Sequence, residues 1–174
     1  MRPKLAPMPA PTLEMPDTAA RLWTFAVQTY ANDGIREIVL ALQDDGDCDV
    51  PLLLFLLFAA TRGQQISAGE VFLIDAAIAP WRREVVMPLR AVRRALPRDA
   101  GDVASLRDLV MKTELEAERG LLSRLATYLG SPIDISGPLV LQYARNNVRA
   151  YAGMRPALDE AAVASLLRAL PQSA

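Results

Sequence analysis

The sequence predicts an all-α fold, a single-domain irregular bundle of seven or eight helices around a central apolar helix at about residues 50–62. Three observations carry that expectation. Apolar residues recur at helical spacing in almost every segment after residue 16, and no run keeps the two-residue alternation of a half-buried strand. Start and stop residues separate those segments: Ser67 and Glu70 have the spacing of a capping box, and Gly130 closes a long helix. Finally, the eleven residues Val50–Ala60 carry no polar side chain, which suits a helix buried on every side.

In chain order, residues 1–16 hold five prolines and read as a disordered tail, leaving 17–174 as one helical domain. They contain no continuous apolar stretch of the kind a signal peptide needs. Asp17 precedes a helix that puts Leu22, Trp23, Ala26, Val27 and Tyr30 on one face. The triplet at 32–34, Asn-Asp-Gly, breaks the chain before a helix with Ile35, Ile38, Val39 and Leu42 turned inward. After the central run, the capping box opens a helix that Pro80 stops. Pro80 then fits the first turn of the next helix, 81–96, which Pro88 kinks. A long helix covers about 103–129. Ser136 starts another before Pro138, and a last amphipathic segment begins near Glu160.

Composition excludes several functions. The chain has 174 residues, 22% of them charged, and a net charge of −1, so no charge bias points to nucleic acid or an anionic membrane. Cys48 is the sole cysteine, which rules out an intramolecular disulfide and suits a reducing compartment. Histidine is absent, and with it His-dependent triads, imidazole bases and nearly all zinc sites. The eleven-residue apolar run covers only about half of a ~30 Å hydrocarbon core. A soluble cytoplasmic protein with no membrane or nucleic-acid partner is expected.

Four aspartates, Asp44, Asp45, Asp47 and Asp49, lie within six positions just before that run. Clustered carboxylates can hold Ca²⁺ or Mg²⁺. The EF-hand spacing fails, however, because counting from Asp45 puts Val50 at position 6 and Leu56 at position 12. A loop that caps the buried helix fits better. Asp49 becomes the N-cap with Pro51 in the first turn, Asp44 and Asp45 end the preceding helix, and Gly46 and Asp47 make the turn. No metal, cofactor or catalytic residue is expected, and Asp44 and Asp49 remain candidate binding groups.

Arg82, Arg83, Arg90, Arg93 and Arg94 fall within an arc of roughly 120° on helix 81–96. Val85, Leu89, Val92 and Leu96 lie outside it and form the expected core stripe, with Val86 alone among the arginines. Five guanidiniums can bind an acidic protein or an anionic small molecule. The commoner use is a solvated face with ion pairs to a neighbouring helix. Glu114, on the inward stripe of Val103, Leu106, Val110, Ala117 and Leu121, is expected to be buried and to meet Arg90, Arg93 or Arg94. Glu116 and Glu118 are expected to be exposed, Trp23 and Trp81 to pack in the core, and Asn146–Asn147 to sit on a solvated face. Cys48 has only carboxylates beside it and no nucleophile's surroundings.

Several stretches together resemble a known family. They are "LWTFAVQTYANDGIREIVLALQDDGDCDVPLLLFLLFAA", "APWRREVVMPLRAVRRAL" and "ELEAERGLL". They are similar to a family of mostly proteobacterial conserved hypothetical proteins, a domain of unknown function. Its pattern runs W-x-F, Y-A, L-x-L-Q-D, D-V-N-L-L-L-F, W-R, V-x-P-L-R and E-x-E-A. The resemblance covers about residues 22–125. The chain departs from it with Pro51 in place of Asn and Phe58 in place of Trp. It implies a small helical bacterial protein and supplies no activity.

Two functions are compatible with these residues. One is a non-enzymatic interaction module that engages a partner through the arginine face or an exposed helix groove. The other is a helical enzyme or carrier holding a lipid-like or diphosphate anion between the arginines and the 44–49 loop. A cavity where both sets converge separates the two.

Overall fold

The computed structural model describes residues 17–44, 48–97, 103–155, 158 and 160–169. The helices are α1 (Asp17–Tyr30), α2 (Asp33–Asp44), α3 (Val50–Thr61), α4 (Ala68–Trp81), α5 (Met87–Ala95), α6 (Ala104–Ala126), α7 (Gly137–Ala152) and α8 (Glu160–Ala169). No strand occurs among the described residues, so the fold is the all-α bundle that the periodicity predicts. The proline-rich residues 1–16, the turn expected at Asp45–Asp47 and residues 98–102 lie outside the described residues.

α3 is the axis of the bundle. Every residue from Val50 to Ala60 is buried, with α1, α6 and α7 packed around it. Removing each leucine or phenylalanine from water stabilises the fold by about 1.5–3 kcal/mol, so a helix apolar on all sides persists only at this position. Asp49 caps it, its carboxylate accepting from the Leu52 amide at 3.0 Å, and Pro51 occupies the first turn where no amide partner is needed. Asn32 serves α2 in the same way, its side-chain oxygen accepting from the Gly34 amide at 3.0 Å. That helix therefore starts at Asp33, two residues before its first apolar residue, Ile35.

The end of α3 depends on Gly63. Its φ of +70° is open to glycine, and an added Cβ would overlap the Ile133 carbonyl oxygen. The Arg62 carbonyl meanwhile accepts from the Ile133 amide at 2.9 Å, which fixes the 131–136 segment against this turn. Gly63→Ala is expected to cost at least ~2 kcal/mol, from the left-handed backbone and the overlap together. Chemical denaturation of the variant measures it.

Asn147 contradicts the solvated-face reading. It is fully buried, accepts from the Ile66 amide at 2.7 Å, and donates to the carbonyls of Leu56 and Gln64. The Gln64 carbonyl and the Ile66 amide lie between α3 and α4, where no helix supplies them partners.

Pro80 does not stop its helix. It lies inside α4, and the chain continues through a π turn, Arg82–Val86, directly into α5. There the Met87 amide reaches five residues back to the Arg82 carbonyl, and the wide turn absorbs the donor that Pro88 lacks. The extra residue shifts the register of the following helical face. Arg82, Val86, Arg90 and Arg93 consequently point inward: Val86 is buried and the three arginines are half-buried. Val92, assigned to the core stripe from ideal geometry, is 47% exposed, and Val85, Leu89 and Leu96 are only half-buried. Leu106 is likewise 49% exposed, because the buried residues of α6 begin only at Glu114. α5 and the first half of α6 thus form an arm whose two helices pack chiefly on each other.

Candidate functional site

Two polar networks use up the inward arginines. In the first, Arg82 bridges two carboxylates through one nitrogen, 2.6 Å from Asp49 and 2.8 Å from Asp75. Arg155 binds the other Asp75 oxygen at 3.1 Å and lies over the Tyr151 ring. The Tyr151 hydroxyl accepts from the Asp49 amide at 2.8 Å. Burial opposes the charge on Arg82, but Asp49 and Asp75 outweigh it and hold the guanidinium more firmly protonated than usual. Asp49 is therefore both a cap and half of an ion pair. The network ties the start of α3 to α4 and to the chain after α7.

In the second network Arg93 grips Glu114 with both Nε and a terminal nitrogen. Arg90 pairs with Glu118 and approaches Glu114 at 3.6 Å. Arg107 donates to the carbonyls of Arg93 and Leu96 and closes the end of α5. Glu114 is buried as its place on the inward stripe predicts, whereas Glu118 is half-buried and paired.

Beside this second network opens a cleft of about 670 Å³. Val50, Pro51 and Leu54 of α3 form its floor, Trp23, Ala26, Val27 and Tyr30 of α1 one wall, and Leu115 and Leu122 of α6 the other. Arg90, Arg93, Glu114 and Glu118 line its polar end, and Arg36 at the edge pairs with Asp33 at 2.8 Å. Burial first, and then Glu118, push the Tyr30 hydroxyl above its ordinary range. Burial does the same more strongly to Tyr151. Two of the four tyrosines should therefore ionise late in an alkaline absorbance titration. Their folded pKa values exceed the unfolded ones, so stability should fall as pH rises above ~10, where unfolding releases their protons. Titration of Tyr30→Phe and Tyr151→Phe assigns the two late steps.

Of the sequence candidates, Arg90 and Arg93 line the cleft. Arg82 and Asp49 meet each other in the first network, Arg83 pairs with Glu84 at the surface, and Arg94 is exposed. Asp44 ends α2, and its side chain lies outside what is described. The cleft's Tyr30, Glu118 and Trp23 were assigned to core or surface by the sequence. Asp75 and Arg155 gave one available signal: each is a charge within an apolar or helix-ending stretch, which needs a partner.

The sequence profile of the family described as "Protein of unknown function (DUF2390)" matches residues 21–125. The chain belongs to that family, and the matched segment contains α3, the arginine helix and both walls of the cleft. No curated protein and no solved structure matches the chain.

Proposed function

We propose that this member of a family of unknown function is a non-enzymatic interaction module of the bacterial cytoplasm. On this reading an apolar, helical segment of a partner protein docks in the cleft between α1 and α6. The observation that carries it is the charge balance of the cleft. Its arginines are already neutralised by Glu114 and Glu118, while its walls run out to the half-exposed side chains of Val27 and Leu115. An anion entering there would meet two carboxylates together with the two arginines, which opposes the carrier reading. A volume of about 670 Å³, open to one side, accommodates several apolar side chains of a docked helix. Among the described residues no helix is long and apolar enough to cross a membrane.

The test uses a photocrosslinking residue at Val27 and a panel of synthetic peptides. Amphipathic helices with apolar residues at i, i+3, i+4 and i+7 should bind saturably and crosslink, and Leu115→Glu should abolish both. Saturable binding of a long-chain fatty acid or alkyl diphosphate, with no response to any peptide, would establish the carrier reading instead.

A further inference from the structure

The polar end of the cleft holds hydrogen-bond donors that the chain itself does not use. Tyr30 lines that end, and its hydroxyl bonds to nothing among the described residues. Glu118, Arg90, Arg36 and Arg93 stand close enough to act on its ionisation. Burial first, and then Glu118, keep it protonated, so it stays a donor at neutral pH. Arg93 spends Nε and one terminal nitrogen on Glu114, and its second terminal nitrogen has no partner among the described residues.

The charges at this end already balance. Arg93 pairs with Glu114, Arg90 with Glu118 and Arg36 with Asp33. Spare donors in a balanced setting select a neutral acceptor, because an anion would bring uncompensated charge against Glu114 and Glu118. Glu118 has a spare oxygen too, but its side chain is 27% exposed and that oxygen can stay hydrated. A helix supplies neutral acceptors whatever its side chains are: its last four carbonyls have no partner within it. Its first turn presents N–H groups instead, which would meet Tyr30 and Arg93 donor against donor.

We propose that the cleft takes its partner helix in one direction, with the C-terminal end at Tyr30 and Arg93, whose hydroxyl and guanidinium cap the last carbonyls. This rests on the helix-docking reading above and names the kind of helix that fits. It is one that ends inside the cleft, since a helix running through offers no free carbonyl there. It lies parallel to α1, with its first turn near Trp23, about 10 Å back along α1 from Tyr30.

The test titrates an acetylated, amidated amphipathic peptide with apolar residues at i, i+3, i+4 and i+7 into the isotope-labelled full chain. A nitroxide on its last residue should broaden the amide signals of Ala31 and Arg36, and one on its first residue those of Trp23 and Leu122. Tyr30→Phe should weaken binding about 3–10-fold, the range of one neutral hydrogen bond. Its melting temperature should match the wild type, because the hydroxyl holds no bond within the described chain. A peptide extended by two helical turns beyond the same stripe carries its last carbonyls past Tyr30 and should not respond to the variant. Exchanged or mixed broadening overturns the direction and leaves helix docking in place. Binding unchanged by Tyr30→Phe, or an equal loss for the extended peptide, overturns the capping in the same way. A chain that binds neither peptide removes the docking reading and this inference together.

Discussion

Arg82→Leu is expected to lower the unfolding free energy by about 3–5 kcal/mol, the cost of breaking a buried charge network from one side. Asp49 is buried and Asp75 largely screened from solvent, with side chains only 4% and 13% exposed. Without the guanidinium, Asp49 keeps its bond from Leu52 but loses its counter-charge, and Asp75 keeps only Arg155. The same geometry alters what Asp49 substitutions should do. A residue that only caps would tolerate asparagine, which can still accept the Leu52 amide. Here Asp49→Asn also removes the charge that faces Arg82, so it should cost about 2 kcal/mol or more rather than a few tenths. Urea denaturation of Arg82→Leu, Asp49→Asn and the double variant measures the coupling. Additive losses would mean that the two residues act independently.

Glu114→Ala is the second large effect, about 3 kcal/mol, near the low end for a buried pair because Arg93 and Arg90 partly reach solvent. The lost stability comes mostly from Arg93, left without its carboxylate partner, since Arg90 keeps Glu118. Replacing the pair together, as Arg93→Met with Glu114→Leu, should therefore recover much of it. If the double variant is no better than Glu114→Ala, the loss lies in packing of the α5–α6 arm and not in orphaned charge.

Much of the fold was legible because its causes are local. The capping box at Ser67 and Glu70, the cap at Asp49 and the all-apolar run of α3 each dictate a helix from a few neighbouring residues. The inward arginine face was not legible, for a reason that is also local. Ideal helical spacing assigns Val92 to the core and leaves Arg90 and Arg93 outside it. One extra residue in the π turn before Pro88 reverses that assignment, and nothing in the pattern announces it. The pairing of Glu114 was legible, since a carboxylate on an inward stripe requires a cation. The role of Asn147 was not, because the backbone groups it satisfies at Leu56, Gln64 and Ile66 are about eighty to ninety residues away in sequence. The cleft arises from the approach of α1, α3 and α6, and no single segment encodes it.

Neutralisation of the cleft arginines by Glu114 and Glu118 is the claim on which the functional reading stands. Calorimetric titration of a long-chain fatty acid into the wild type and into Glu114→Gln tests it most directly. The variant keeps the shape of the side chain and frees positive charge at Arg93, while Arg90 stays paired with Glu118. No saturable binding is expected for the wild type, with a one-to-one site appearing in Glu114→Gln and disappearing again when Arg93→Gln is added. Saturable binding to the wild type, lost in Arg93→Gln, would contradict it and show that the arginines are available to an anionic ligand.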